Sequence, residues 1–422
     1  MHRITRLNND LTIITDRMPN TNSLALGFWI KAGGRYEPKN LQGISHFLEH
    51  ILFKGTKTRD YRQLKEAVEG VGGIFNAFTS EEYTCYYIKI VSDYLERAVT
   101  ILSDMVLNPL LDKKEINKER NVIVEELRMY MDLPNQYVSE LLDELLWPEH
   151  PLGRSLLGTY DTLSAIKRRD LIRYKEKYHV SSNIIAVACG NIEHDAIVKL
   201  LEKTFKGKAR KAGTGFKKAK KTQTSPKINF YHKDTEQTHI CLGVHGLDRL
   251  HPDRYAQSIL NVILGGNMSS RLFNEVREKR CLAYEIGSGV KEYLDAGALY
   301  VHAGVDNNKT VEAVSVIISE LKKLRNRRVT KEELTQAKEY YKGRLLMSLE
   351  DPIFNMLFLG EQITSARRLF TKDGIIAGIE KVDFDDIKRI ANALFVNNSL
   401  NMALIGPQEK KDKQTIEKKF KF

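Results

Sequence analysis

The feature that most constrains this 422-residue chain is that its two halves repeat one another. The first half passes from a strand pattern at Leu11–Asp16, through a second at Ser23–Ile30, to the apolar helical stretch GISHFLEHILFKG. The second half passes from Ile228–Tyr231, through His239–Val244, to DRYAQSILNVILGG. Ile51–Gly55 align with Val262–Gly266 at an offset of 211, and MYMDLP (Met129–Pro134) aligns with MSLEDP (Met347–Pro352) at an offset of 218. Offsets seven residues apart require insertions in one copy, as in an old domain duplication and unlike a short-period solenoid. Each half mixes strand patterns, TCYYIKI (Thr84–Ile90) and ALYVHAGV (Ala298–Val305), with long helical ones, so the expected fold class is α+β.

Between the copies lies KGKARKAGTGFKKAKK (Lys206–Lys221), with eight Lys/Arg, no acid and no apolar periodicity, which reads as a flexible, solvated linker. The expected division is an N-terminal domain at 1–205, a basic linker at 206–226 and a C-terminal domain at 227–422. The formal charge of +12 invites a nucleic-acid or anionic-surface reading. Its location argues otherwise. The linker and the tail Glu409–Phe422, with six lysines against three acids, together hold eleven of the twelve charges, so the two halves are nearly neutral in sum. The linker has only Phe216 among its basic residues, too few aromatics for a stacking platform, and no nucleic-acid partner is expected. No apolar run reaches membrane-spanning length and the N-terminal residues show no apolar leader core, so a cytoplasmic protein with no membrane partner is expected. Cys85, Cys189, Cys241 and Cys281 lie far apart without CxxC spacing, which suggests neither a disulfide frame nor a thiolate zinc site.

The sharpest chemical signal is HFLEH. On a helix, His46 and His50 at i and i+4 share a face and can reach one ion, while Glu49 beside them can take a proton from an attacking water. This H-x-x-E-H order is the inverse of the H-E-x-x-H metallopeptidase motif. Two histidines leave a catalytic zinc short of its third protein ligand. The helical stretch Leu111–Asp132 offers Glu119 and Glu126 on one face, though spacing alone does not separate Glu126 from Glu125.

These segments together resemble the pitrilysin-type zinc peptidases, the family of insulin-degrading enzyme and the mitochondrial processing peptidase. The family pattern is H-x-x-E-H followed about 76 residues later by a ligand glutamate, with a second glutamate seven residues before it; here these are Glu126 and Glu119. The resemblance covers essentially the whole chain and is nearest to the short, two-domain bacterial branch. It implies one Zn2+ per chain on His46, His50 and Glu126, Glu49 as general base, and Glu119 bracing a ligand. It also implies two homologous domains of α/β sandwich type, each a mostly antiparallel sheet with helices packed on it. GGIFNAFTSEEYTCYY (Gly72–Tyr87) is similar to the edge strand on which family substrates lie, which makes Asn76, Ala77 and Thr79 substrate-binding. GGNMSSRLFNEVREKRCLAYEIGSG (Gly265–Gly289) resembles the C-terminal signature, which makes Arg277 and Tyr284 the pair that contacts substrate or the developing oxyanion.

The second copy has no metal site of its own: His46, Glu49 and His50 correspond to Gln257, Leu260 and Asn261, and Glu126 to Arg344. Longer family members carry four such domains, with the first facing the fourth. A two-domain chain is therefore expected to form a homodimer in which Arg277 and Tyr284 complete the partner's site. The implied function is a zinc endopeptidase acting on peptides or unfolded, presequence-like segments inside a clamshell chamber. The alternative is a catalytically silent or structural subunit of the same fold in a heteromeric peptidase. GSG at Gly287–Gly289 opens no helix and is not a dinucleotide fingerprint. His232, His239 and His245 lack ligand spacing, and Cys85 and Cys189 read as small core residues.

Overall fold

A computed structural model describes residues 2–422 except Thr214 and Arg367, so the leader reading at Met1 and the linker reading at Thr214 fall partly outside the described residues. The duplication takes the form of two sheets of matching topology. The first sheet contains β1 (Arg3–Arg6), β2 (Thr12–Arg17), β3 (Ser23–Ile30), β4 (Ile74–Thr79), β5 (Thr84–Val91) and β6 (Ile184–Gly190), in spatial order β1-β2-β6-β3-β5-β4. The second contains β7 (Lys227–His232), β8 (Gln237–Gly246), β9 (Ala283–Glu292), β10 (Gly297–Asp306) and β11 (Asn401–Gly406), in order β7-β11-β8-β10-β9. Without β1 the two orders correspond strand for strand. Each sheet has one parallel pair, β2–β6 and β7–β11, in the same place, and antiparallel pairs elsewhere. Strands β6 (IIAVACG) and β11 (NMALIG) are buried at every position, which explains their unbroken apolar sequence. The fold is α+β with two homologous domains of helix and mostly antiparallel sheet.

The compact units, however, are not the contiguous stretches 1–205 and 227–422. One unit comprises the residues up to Arg128, Arg154–Lys217 and Leu346–Leu369; the other comprises Met129–Gly153, Lys218–Leu345 and Phe370–Phe422. The two repeated segments MYMDLP and MSLEDP stand where the chain passes from one unit to the other. Each ends in a proline that starts a helix, Pro134–Leu146 and Pro352–Glu361, in the first turn, where proline loses no helical hydrogen bond. Each helix then packs in the unit built mainly from the other half of the chain. In the first unit, Met356 and Leu359 join Ile14, Ala25, Trp29 and Val187 in one core. In the second, Val138, Leu142 and Leu146 join Cys241, Ala298 and Ala403. Glycine makes room at equivalent strands: a Cβ on Gly27 of β3 would lie 2.4 Å from the Met356 sulfur, and one on Gly243 of β8 would lie 2.9 Å from a Leu142 methyl. An apolar helix pattern specifies that one face must be buried, but not against which of two similar sheets.

The basic linker also differs from expectation. Its described residues form no helix or strand, but they are held in place. Phe216 lies over the Arg35 guanidinium, 3.8 Å from ring centroid to carbon, and the Lys217 carbonyl accepts from Arg35 Nη2 at 3.0 Å. The Ala219 N–H donates to Asp295 at 3.0 Å. No helix among the described residues is long and apolar enough to cross a membrane.

Candidate metal centre

The HFLEH stretch lies on the helix Ile44–Leu52, whose side chains are buried except at His50. Apolar Phe47, Leu48, Ile51 and Leu52 fix the helix in the core of its unit, and the i, i+4 spacing turns both imidazoles to one side. The long helix Lys113–Asp132 buries Ile116, Ile123 and Leu127, and carries Glu119 and Glu126 to that same side. Among the described residues, His46, His50 and Glu126 are the one group of three metal-ligating side chains whose ligand atoms all lie within 4.8 Å of one another. Glu126 Oε2 is 3.8 Å from His46 Nε2 and 3.4 Å from His50 Nε2. Glu125, which spacing left open, points elsewhere and pairs with Arg128 at the surface.

The electrostatics suit a cation. Burial, helped by the nearby His50, lowers the pKa of His46 to about 4 and keeps that imidazole a neutral donor. Burial also works against charge on His50, but its bonds to Glu119 and Glu126 outweigh this and hold its pKa at about 9. The His50 proton thus stands among carboxylates where a cation would neutralise the same charge. His50 Nδ1 donates to Glu119 at 3.0 Å, which fixes the tautomer that turns Nε2 towards Glu126. Two imidazole nitrogens and one carboxylate are a donor set that zinc takes in catalytic sites, and the residues present fit that ion.

Glu49 stands apart from the ligand triad. Desolvation raises its carboxyl above the ordinary carboxylate range, with Thr79 and His50 pulling the other way. The Thr79 hydroxyl donates to Glu49 Oε2 at 2.5 Å. Thr79 ends β4, an edge strand of its sheet, which also carries Asn76 and Ala77. The Asn76 carboxamide accepts from the Ala77 N–H at 2.8 Å, a local bond within the strand. The resemblance implies a substrate contact for Thr79; the structure places its hydroxyl on the candidate base.

Arg277 and Tyr284 belong to the other unit and are brought together there. Arg277 lies in the turn Phe273–Glu278, wound with hydrogen bonds five residues apart, a form frequent at functional sites. Its guanidinium sits 5.3 Å from the Tyr284 ring centroid and 4.7 Å from that of Phe273. Both residues line a cavity of about 540 Å³, into which Tyr284 projects 77% exposed. The counterparts of the metal ligands in this unit have structural work: Gln257 accepts from the Leu247 N–H at 2.8 Å, and Asn261 from the Ser288 hydroxyl at 2.7 Å.

Two neighbours of the centre escaped the sequence reading. Lys54 Nζ pairs with Glu119 Oε2 at 2.7 Å, and the i+4 step from His50 was the available signal. Glu37 accepts two backbone N–H groups at the start of the metal helix, a contact no spacing rule reveals. Three of the cysteines are buried and Cys281 is exposed.

The chain is similar to known proteins over most of its length. Residues 12–160 match the family model described as Insulinase (Peptidase family M16), and residues 165–341 match the Peptidase M16 inactive domain. The latter match includes Gln257 and Asn261, the counterparts of His46 and His50. An uncharacterised zinc protease of Bacillus subtilis, YmxG, is 37% identical over 94% of this chain and 97% of its own. One from Streptomyces coelicolor is 33% identical over 98% of this chain and 90% of its own. A Helicobacter pylori protease of known structure superposes with a TM-score of 0.91 at 24% identity, covering 96% of this chain and 99% of that one.

Proposed function

Because the chain belongs to the M16, or insulinase, family of peptidases, we propose that it is a zinc-dependent endopeptidase hydrolysing peptides or unfolded, presequence-like segments within a clamshell chamber. The observation that carries this reading is the two-imidazole, one-carboxylate donor set with a separate, oriented carboxyl, Glu49, one residue from a ligand.

Zinc bound by His46, His50 and Glu126 would supply Lewis-acid polarisation and easier deprotonation of water. The protein's own residues supply the rest. Glu49, its basicity raised by desolvation, takes the proton of the attacking water and delivers it to the leaving amine. Strand β4 offers an outer backbone edge to which an extended peptide can add as a further strand, binding through main-chain groups with little demand on side-chain sequence. Glu119 holds the His50 tautomer.

The purified protein is expected to contain one zinc per chain by elemental analysis and to cleave a quenched peptide. Treatment with 1,10-phenanthroline should stop cleavage, and stoichiometric zinc should restore it. Cleavage that survives complete metal removal would exclude the mechanism.

Arg277 and Tyr284 are placed in this scheme as donors to the tetrahedral intermediate in the partner's site, which makes the working form a homodimer. Mixing a Glu49→Gln chain with an Arg277→Ala/Tyr284→Phe chain under subunit exchange should recover activity that neither possesses alone. A demonstrably mixed dimer without activity would rule out completion in trans.

A further inference from the structure

Two elements of the site are tied to the segment Gly33–Glu37. In one direction it holds the β4–β5 hairpin. The Gly34 N–H donates to the Ser80 carbonyl at 3.1 Å and the Arg35 N–H to the Glu81 carbonyl at 2.8 Å, immediately after Thr79. In the other direction Glu37 reaches the metal helix. Its Oε2 accepts the Gly43 N–H at 2.7 Å and its Oε1 accepts the Ser45 N–H at 2.8 Å.

Those N–H groups belong to the helix end that has no carbonyl partner within the helix, and that end carries the positive pole of the helix dipole. The usual remedy is a side chain at the N-cap. Here the N-cap is Gly43, with φ of +88°, and a Cβ there would lie 2.7 Å from the Leu157 carbonyl oxygen. The left-handed backbone and the lack of space both demand glycine, so the cap must come from elsewhere. Glu37 supplies it, buried to 6% exposure.

We propose that Glu37 is a positioning residue of the metal centre: its buried carboxylate closes the N-terminus of the helix bearing His46, Glu49 and His50 and holds that helix in register with strand β4, where Thr79 grips Glu49. This rests on the zinc-peptidase reading. Arg154 favours its charge from a distance. Ser45 donates to it and shares a 2.7 Å hydroxyl contact with Tyr174, whose own pKa burial pushes far up, so that phenol stays neutral.

As a carboxylate, this buried cap costs stability. Desolvation raises the Glu37 pKa from 4.5 to about 7, although Ser45 and Gly43 pull it down. The folded state therefore holds the Glu37 proton more tightly than the unfolded one. The stability so gained is present below about pH 4.5 and is lost as pH rises through about 7. Glu37→Gln removes that loss, so above neutrality it should not lower the melting temperature in proportion to its effect on the site. The amide accepts from one N–H but turns its own NH2 towards the other, which loosens the helix end.

The test titrates metal-free wild type, Glu37→Gln and Glu37→Asp with zinc at pH 8 against a chromogenic chelator, alongside thermal melts and peptidase kinetics. Glu37→Gln is expected to bind zinc about ten-fold more weakly, the scale of lost outer-sphere support, with kcat reduced and KM little changed. Glu37→Asp keeps the charge but lacks one methylene of reach, and should fall about three-fold. A folded Glu37→Gln protein with zinc affinity within about two-fold of wild type overturns the proposal, as does a change confined to melting temperature. If Glu37→Gln fails to fold, Glu37→Asp decides by the same criterion. A wild-type protein that takes up no zinc defeats the peptidase reading and this inference together; wild type that binds zinc no better than the variants defeats the inference alone.

Discussion

Glu49→Gln is expected to leave zinc binding intact and to lower turnover of a quenched peptide by about 10²–10⁴-fold, the usual range for loss of a general base. The geometry separates the two effects. The ligand group is His46, His50 and Glu126, and Glu49 is not part of it. The substitution is isosteric, and the amide oxygen still accepts from the Thr79 hydroxyl, so the helix should keep its place. What disappears is a proton acceptor whose basicity desolvation had raised. Metal content is read by elemental analysis and turnover under saturating peptide. Wild-type turnover in a zinc-loaded Glu49→Gln protein would remove Glu49 from the mechanism. Loss of zinc together with activity would place Glu49 among the ligands instead.

Much of this centre was readable before any coordinates, because its parts are local. His46, Glu49 and His50 are neighbours on one helix, and β3 spans Ser23–Ile30, the stretch read as the second strand. Glu119 and Glu126 share a face by spacing. Spacing could not decide between Glu125 and Glu126, because neighbours on a helix point about 100° apart and either could face a partner helix. Resemblance chose Glu126, and the coordinates place Glu125 at the surface with Arg128. Long-range contacts were not readable. The Thr79–Glu49 bond joins residues thirty apart, and Glu37 reaches forward across a loop to a helix whose own N-cap is glycine. The exchange of helices Pro134–Leu146 and Pro352–Glu361 was hidden for a different reason. After a duplication two nearly equivalent sheets exist, and local pattern does not choose between them.

The same limits hid a buried ion pair. Arg35 in the loop Gly33–Glu37 has a fully buried side chain, and its Nη1 lies 2.6 Å from Glu82 Oε1, itself 3% exposed. Phe216 covers the guanidinium and the Lys217 carbonyl accepts from it, so the linker seals the pair from water. Taking both charges out of water is costly, and their attraction offsets that cost only while both are present. Arg35→Met should therefore destabilise the protein by about 3–5 kcal/mol in urea unfolding, since it leaves the Glu82 carboxylate buried without its guanidinium. Adding Glu82→Leu should restore most of that loss, because an apolar pair of similar volume carries no desolvation penalty. The cycle distinguishes charge from packing. If Arg35→Met costs less than about 1 kcal/mol, or the second substitution deepens the loss, the pair is not the electrostatic lock inferred here. Arg35 and Glu37 are two residues apart, one fastened to the hairpin of Thr79 and the other to the helix of His46. The restored double variant should accordingly recover peptidase activity along with stability, which a loop unconnected to the site would have no reason to do.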